Sequence, residues 1–495
     1  MAWSSPDVVI IGSGMGGATL AASLAPTGAG ILVLERGHQI PDDAPARDPD
    51  RIYKNSAFRS DETWLDGEGR RFSPGNYYNV GGNTKLYGAV LYRYRWQDFQ
   101  AMEHLGGISP AWPFPYETLA PYYDAAEALY QVRGDFSQDP TEPPHAGPYP
   151  YPAVLDESAL AEVRQRLEKA GLHPSALPLG VDLERWLSNG SDGWDGYPDT
   201  RSGKMDAETC GLAVALSHDN VRLETGARVS GLSATLDGRR IDSVTYVQAG
   251  EAITVRPKIV ALAAGAVQTA ALLLSSGLAN SSGQVGRNFM NHNATAMLAY
   301  DPRFVNDAVY QKTFAINDWY LADGENGPPL GNVQLLGRVV PKILKATVPS
   351  MPMPVAAHLS RHAVDFYAIT EDLPDPESRV VLNGGDIQLL WRRSNMEAHR
   401  RLVKRMKQAL RDAGFPLVLS RLFDGRVPSH QCGTARLGDD PATAVLDPDC
   451  RSFDHENLFV TDAAALPTSA AVNPSLTVAA LALKAGDAIR RELGA

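Results

Sequence analysis

Two side chains near the C-terminus carry the chemistry of this sequence: His430, in His430-Gln431-Cys432-Gly433-Thr434, and Asn473, in Asn473-Pro474-Ser475-Leu476-Thr477. An imidazole changes charge near neutral pH and can take a proton from a hydroxyl group. A carboxamide can donate to the same oxygen without titrating. At the other end of the chain, Gly12-x-Gly14-x-x-Gly17 follows the apolar run Val8–Ile11. Gly12 permits a tight turn, Gly14 lets a pyrophosphate approach the backbone, and Gly17 lets helix and sheet close together. Glu35 ends the next apolar run, where a carboxylate can accept both ribose hydroxyls of a dinucleotide. A nucleotide end and an acid/base end, separated by the whole chain, predict one redox site built from both termini.

The elements that must position these residues are legible from period and punctuation. A strand over 7–11, a helix from Met15 to Ala25 with Gly28 as C-cap, and a strand over Ile31–Leu34 make a βαβ beginning. Lys258–Ala263 reads as a buried strand that leads, through Gly265, into a helix ending at Ser276. Phe459–Asp462 reads as a strand returning to the same sheet edge, and Asn473-Pro474 opens the last helix, proline being suited to a first turn. Such a helix start favours negative charge nearby by roughly 0.5–2 kcal/mol. A small meander is predicted over Val229–Val255. Helices are predicted over Tyr116–Tyr130, over Glu157–Gly171 with Asp156 as N-cap, and over Asn395–Ala413. Spaced runs at Asn332–Val340, Ala363–Ile369, Arg379–Leu382 and Ile387–Trp391 predict one antiparallel sheet in a second domain. Met351–Ala357 is read as a lid or a plain loop.

Composition narrows the function classes. The chain has 495 residues, 44% hydrophobic and 21% charged, with a net charge of −11, which suits a soluble protein and argues against nucleic acid or an anionic membrane as partner. No Lys or Arg precedes Arg36, so no secretory signal is expected and a cytoplasmic location is. The apolar stretches Lys258–Gly277 and Ala470–Gly486 are interrupted by polar residues, so no membrane span is expected. Three cysteines give no disulfide framework, and no Cys or His spacing suggests a metal. Cys432, beside His430, is read as a small apolar filler.

Taken together, GSGMGG with Glu35, Gly81-Gly82-Asn83-Thr84, Gly265–Gly277, Val285-Gly286-Arg287-Asn288, HQCGT with Arg436, and VTDAAALPTSAAVNPSLT resemble the GMC (glucose–methanol–choline) oxidoreductases over the whole chain. The resemblance implies an α/β fold: a discontinuous Rossmann-like FAD-binding domain (residues 1–110, 200–290 and 426–495), and a substrate domain with an antiparallel sheet flanked by helices (111–199 and 291–425). It implies FAD contacts from Gly12, Ser13, Gly14, Met15, Gly17, Glu35, Arg36, Gly82, Asn83, Thr84, Ala89, Val229, Asp462, Pro474 and Thr477, and a catalytic pair of His430 and Asn473. Within the family, Val80–Ala89 and the HQCGT form resemble bacterial pyranose oxidase-like enzymes, which include oxidases of the C3 hydroxyl of sugars and glycosides. Asn83-Thr84-Lys85 lacks the histidine that bonds flavin in fungal relatives, so the FAD is expected to be non-covalent. Ala270 and Ala279 depart from the family pattern of Pro/Ser and Gly.

The leading expectation is thus oxidation of a secondary sugar hydroxyl, at C3 or C2, to a ketone, with O2 as acceptor and a sugar or glycoside as substrate. Two alternatives stand beside it: a flavoprotein subunit passing electrons to a quinone or cytochrome, and a non-catalytic flavin binder. An NAD-dependent dehydrogenase is also conceivable from the glycine turn alone. A homo-oligomer is left open. Gln334, His358 and His362, with the aromatics Phe314, Trp319 and Tyr320, are candidates from the second domain.

Overall fold

Runs of three or four apolar residues with no polar face must be covered on both sides, and that is how these runs fold. The strands Val8–Ile11, Ile31–Leu34, Ile259–Leu262 and Leu458–Val460 are buried throughout. With Val221–Glu224 they form a five-stranded parallel sheet. Its spatial order is Val221–Glu224, Ile31–Leu34, Val8–Ile11, Ile259–Leu262, Leu458–Val460. The first and last strands of the chain thereby lie one strand apart. The computed structural model describes residues 3–41, 48–188, 196–198, 203–423 and 430–494. The expected domain boundaries at 199/200 and 425/426 fall outside the described residues.

The first helix, Met15–Leu24, is buried along its whole length and packs against the final helix, Ser475–Leu493. This contact is what brings the two termini together. At Gly16 a Cβ would lie 1.7 Å from the Thr461 carbonyl oxygen, so the helix start can sit against the end of the last strand only without a side chain there. Arg490 of the final helix donates to the Ser23 carbonyl at 2.8 Å and locks the far end of the same pair.

A second sheet is antiparallel, in the order Leu417–Leu422, Asn293–Tyr300, Ala363–Thr370, Asn332–Leu335, Phe314–Ile316, Pro174–Ala176. Its core includes apolar faces of the helices Ser158–Lys169 and Met396–Asp412. The meander forms as expected, from Arg228–Ala234, Ile241–Gln248 and Glu251–Val255.

Four expectations are corrected. Arg379–Asn383 and Asp386–Leu390 leave the second sheet: they pair with each other, and Asp386–Leu390 pairs on its other side with Trp64–Leu65, beside the cavity described below. The run from Asn332 stops as a strand at Leu335, because the Val339 N–H turns to the Asp365 carboxylate at 3.0 Å. Asp156 does not cap its helix: its carboxylate is held by Arg164 and Thr313, and Glu157 occupies the N-cap with its carboxylate turned to the Val309 and Tyr310 N–H groups rather than to the helix. Residues 353–361 are helical rather than a loop, with Pro352 and Pro354 at the start, where an amide hydrogen is not needed.

Ala279 has φ +55°, the left-handed region. Its N–H is held there by His455 Nε2 at 3.1 Å. A Cβ at such a φ is unfavourable by roughly 1–2 kcal/mol. Ala279→Gly is therefore expected to raise thermal stability by about 1 kcal/mol, the gain being reduced by the greater freedom of glycine in the unfolded chain. Differential scanning calorimetry checks it, and an unchanged or lowered Tm contradicts it.

Candidate active site

At the C-terminal edge of the parallel sheet lies a cavity of about 530 Å³. One wall is the glycine turn, with Gly12, Ser13, Gly14 and Met15; the others include Glu35 and Arg36, Val229, Gly265, Asp462 and Pro474, and His430. A single cavity thus reaches from the nucleotide motif to the proposed base. Gly12 has φ +106°, and a Cβ there would lie 2.3 Å from the Ala263 carbonyl oxygen, so the turn can be made only by glycine. Gly14 is different. The nearest atom to a Cβ there is 4.0 Å away, and the space above it belongs to the cavity. The helix behind it presents its free N–H groups toward that space.

Glu35 is buried and organised. Its carboxylate accepts from the Ser13 hydroxyl at 2.6 Å, the Ser13 N–H at 3.1 Å and the Gly37 N–H at 2.8 Å. Ser13 in turn accepts from the Gly81 N–H at 3.1 Å, which fixes the Gly81–Thr84 segment against the glycine turn. Asn83 and Thr84 line the cavity. Arg36 lies over the Tyr78 ring, 3.8 Å from its centroid. Asp462 spends its carboxylate on the chain: it accepts from Gly265 N–H at 2.9 Å, Thr269 Oγ1 at 2.5 Å and Ala464 N–H at 2.8 Å. Its side chain therefore ties the start of the helix Ala266–Ser276 to its own loop, and burial pushes its pKa up. Among the expected contacts, Gly17, Gly82, Ala89, Asn473 and Thr477 are not part of the lining. Gly17 packs on Gly12, Ala89 passes its carbonyl to Gly180, and the Thr477 hydroxyl meets Tyr123 at 2.7 Å. At the start of the last helix it is Pro474, Ser475 and Val478 that face the cavity.

His430 is built in from both sides. Cys432 and Met290 exchange backbone hydrogen bonds at 3.0 Å, and the Gly433 N–H reaches the Ala463 carbonyl at 3.0 Å. The HQCGT segment is thus zipped between residues 286–290 and 463–465. Cys432 is fully buried there, as a filler should be. The His430 N–H donates to Asn291 Oδ1 at 2.8 Å.

The imidazole has a partner that the sequence reading missed. His292 Nδ1 lies 2.7 Å from His430 Nδ1, and His292 Nε2 lies 3.0 Å from the Ser469 carbonyl. A carbonyl only accepts, so His292 carries its proton on Nε2. Its Nδ1 must then accept, and His430 Nδ1 must donate. The proton on His430 is thereby held at Nδ1, leaving Nε2 with a bare lone pair. Burial, the neighbouring His292 and the Lys312 ammonium all push the His430 pKa well below its usual range. His292 is likewise lowered, chiefly by burial. The available signal was proximity: His292 lies four residues past the quoted Val285–Asn288 stretch.

These shifts set a pH dependence. His399 is lowered to about 4 by burial, alongside His292 and His430. Histidines in the unfolded chain titrate near about 6.5, so below that pH the unfolded state binds more protons than the folded one. Their contribution to stability is fully present above about pH 6.5 and is lost as pH falls below it. Denaturant midpoints are expected to drop between about pH 7 and 5, and less steeply in His399→Gln. A slope unchanged by that substitution would contradict this assignment for His399.

Asn473 sits at the head of the final helix, half-buried, and its Oδ1 accepts from Gln334 Nε2 at 3.0 Å. Among the described residues, no group of three or more His, Cys, Asp or Glu is placed to hold a metal, and no helix is long and apolar enough to cross a membrane.

Comparison with known proteins agrees with this geometry. Residues 79–294 and 370–482 match the N-terminal and C-terminal sequence models described as GMC oxidoreductase. Paromamine 6'-oxidase of Streptomyces fradiae is 29% identical, the match covering 98% of this chain and 92% of that protein. The 2-methyl-1,2-propanediol dehydrogenase of Mycolicibacterium austroafricanum is also 29% identical, with 98% and 95% covered. The fructose dehydrogenase large subunit of Gluconobacter japonicus is 25% identical, with 99% and 98% covered. Among solved structures, pyridoxine 4-oxidase from Mesorbium loti superposes with a TM-score of 0.68 at 20% identity, covering 98% of this chain and 99% of that one. At that identity the likeness shows the fold, an FAD-binding domain joined to a substrate domain.

Proposed function

Because this chain belongs to the GMC oxidoreductase family, whose members bind FAD, we propose that it oxidises a secondary hydroxyl of a sugar or glycoside, at C3 or C2, to the ketone. The observation that carries the reading is the continuity of one cavity from the Gly12–Met15 turn to His430. The loop Val80–Ala89, resembling pyranose oxidase-like enzymes, supports the sugar and the position.

The residues fit the cofactor. Gly14 leaves room over the helix start for a pyrophosphate, and Glu35 is oriented beside it for a ribose. Asn83-Thr84-Lys85 offers no histidine, so we hold the FAD to be non-covalent; denatured protein should release all its flavin through an ultrafiltration membrane. When bound, FAD supplies the acceptor for a hydride. His430 Nε2 takes the hydroxyl proton as the hydride leaves the carbon, and Asn473 Nδ2 donates to the same oxygen. The final helix start, with Pro474 and Ser475 in the cavity wall, favours the negative charge that arrives with the electrons. With O2 as acceptor, the two electrons and two protons taken from the alcohol would be recovered as hydrogen peroxide.

A second reading is favoured by the full-length similarity to fructose dehydrogenase large subunit: the same oxidation, with electrons passed to a quinone or cytochrome. One experiment addresses both. Anaerobic loss of the flavin colour is followed across monosaccharides, phenyl glycosides, paromamine and 1,2-diols, and reduced protein is then mixed with O2 or with a benzoquinone. A 3- or 2-keto product with fast reoxidation by O2 supports the proposal. Oxidation of a primary hydroxyl overturns the position, reoxidation by quinone alone favours the dehydrogenase, and no loss of colour with any substrate favours a non-catalytic flavin binder.

A further inference from the structure

Asn473 is useful to the reaction only if its nitrogen, not its oxygen, faces the substrate, and a carboxamide alone has no preference between the two. The structure contains a device that removes the choice. Arg95 and Asp139 are buried and ion-paired at 2.7 Å. A carboxylate paired in this way can only accept. Its Oδ2 takes a hydrogen bond from Asn317 Nδ2 at 2.6 Å, so Asn317 must present its oxygen on the other side. That oxygen accepts from Asn332 Nδ2 at 2.7 Å. Asn332 Oδ1 therefore faces Gln334 and accepts from its Nε2 at 3.0 Å. The second hydrogen of the same Gln334 nitrogen goes to Asn473 Oδ1 at 3.0 Å. Each amide has its polarity dictated by the one before it, and the series starts at a fixed anion.

We propose that Gln334 is a positioning residue: the Asp139–Asn317–Asn332–Gln334 ladder holds the Asn473 oxygen away from the substrate and leaves its nitrogen as the donor in the site. Asp139, Asn317, Asn332 and Gln334 are each no more than 6% exposed. Water therefore cannot readily substitute for a missing rung, and the bonds reinforce one another in a low-dielectric interior. The ladder runs from Asp139, through the Asn317 segment and the strand Asn332–Leu335 of the antiparallel sheet, to the head of the final helix. Its last bond links the antiparallel-sheet region to the final helix. The inference rests on the reading of Asn473 as substrate-facing, and its test separates the two.

The informative substitution is Gln334→Glu. As a carboxylate, residue 334 can only accept, so the Asn473 amide must turn over and present its oxygen to the site. Protonated, the new side chain again donates to Asn473. A buried carboxyl titrates above its usual value, within reach of ordinary buffers. Anaerobic flavin reduction of the holoenzyme by D-glucose and by phenyl β-glucoside is measured across pH for wild type, Gln334→Glu, Gln334→Met and Asn473→Ala. Asn473→Ala is expected to slow reduction by roughly 10²-fold, the usual effect of losing a donor at a developing oxyanion. Gln334→Glu should match that loss at high pH and recover as pH is lowered, with the loss in kcat rather than KM. Gln334→Met, which frees the amide without reversing it, should be slowed by roughly tenfold at every pH. Neither substitution at 334 should add to Asn473→Ala. A substrate-independent readout accompanies this: the nitrogen-15 side-chain amide signal of Asn473, identified by its absence in Asn473→Ala, should shift in Gln334→Glu at high pH and return at low pH. Equal, pH-independent rates for the Glu and Met variants, effects that add to Asn473→Ala, or a stationary amide signal would overturn the ladder's role. A normal rate in Asn473→Ala would instead overturn the assignment of Asn473 itself. Should Gln334→Glu fail to retain FAD, the double cycle of Gln334→Met with Asn473→Ala still decides between coupling and additivity.

Discussion

His430→Ala should keep its FAD and lose flavin reduction by sugars, by roughly 10²–10⁴-fold, the range expected for a positioned general base. The cofactor should stay because the glycine turn, Glu35 and the Gly81–Thr84 segment are held by bonds that do not involve residue 430. The rate should fall because the bare Nε2 is what the surroundings of His430 are arranged to provide. His292, anchored on the Ser469 carbonyl, keeps the proton on Nδ1, and burial with Lys312 nearby keeps the ring neutral. His292→Phe should then cost rate as well, but less than His430→Ala, because Nε2 remains in place while its tautomer is no longer imposed. Rapid-mixing measurements on protein with equal flavin content check both. A His430→Ala rate within a few-fold of wild type would remove the imidazole from the mechanism.

The second large effect separates scaffold from cradle within one motif. At Gly12 an alanine meets φ +106° and the Ala263 carbonyl oxygen at 2.3 Å, both set by backbone that cannot move without opening the sheet. Strain and overpacking together make Gly12→Ala unfavourable by on the order of 3 kcal/mol, and flavin should be lost with stability. At Gly14 nothing in the protein lies closer than 4.0 Å to the new methyl group. Gly14→Ala should therefore leave the unfolding midpoint of the flavin-free protein within about 0.5 kcal/mol of wild type. Its methyl group would occupy the space meant for the pyrophosphate, so FAD affinity should drop at least tenfold. Fluorescence titration of flavin-stripped protein measures one quantity and denaturant unfolding the other. Equal effects of the two substitutions on apo stability would mean that the space above Gly14 serves packing rather than a ligand.

The parallel sheet was readable because its strands have only one way to satisfy their composition. Val8–Ile11 and Ile259–Leu262 are aliphatic throughout, and the glycine turn after the first marks the sheet edge at which a ligand binds. The final helix was readable from Asn473-Pro474 and a long apolar run. The second sheet was less legible. Arg379–Asn383 and Asp386–Leu390 are short apolar-rich runs like Ala363–Thr370, and nothing local says that Asp386–Leu390 pairs with Trp64–Leu65, more than three hundred residues earlier, rather than joining the Ala363–Thr370 sheet. The Asp156 cap failed for a related reason: Arg164 and Thr313 compete for the carboxylate, and Thr313 is brought there only by the tertiary fold. His430 and Asn473 could be singled out because each sits in a local motif. His292, Gln334 and Asp139 act through pairings across 138, 139 and 178 positions of sequence, between His292 and His430, Gln334 and Asn473, and Asp139 and Asn317, which no periodicity reports.

The most direct test of the whole account is a crystal structure of the flavin-loaded protein with a bound, slowly oxidised glycoside. The account predicts the dinucleotide pyrophosphate over Gly14, the flavin ring beside Pro474, and one sugar hydroxyl within hydrogen-bond distance of both His430 Nε2 and Asn473 Nδ2. A sugar bound elsewhere, or a flavin whose ring lies at the Glu35 end of the cavity, would contradict it.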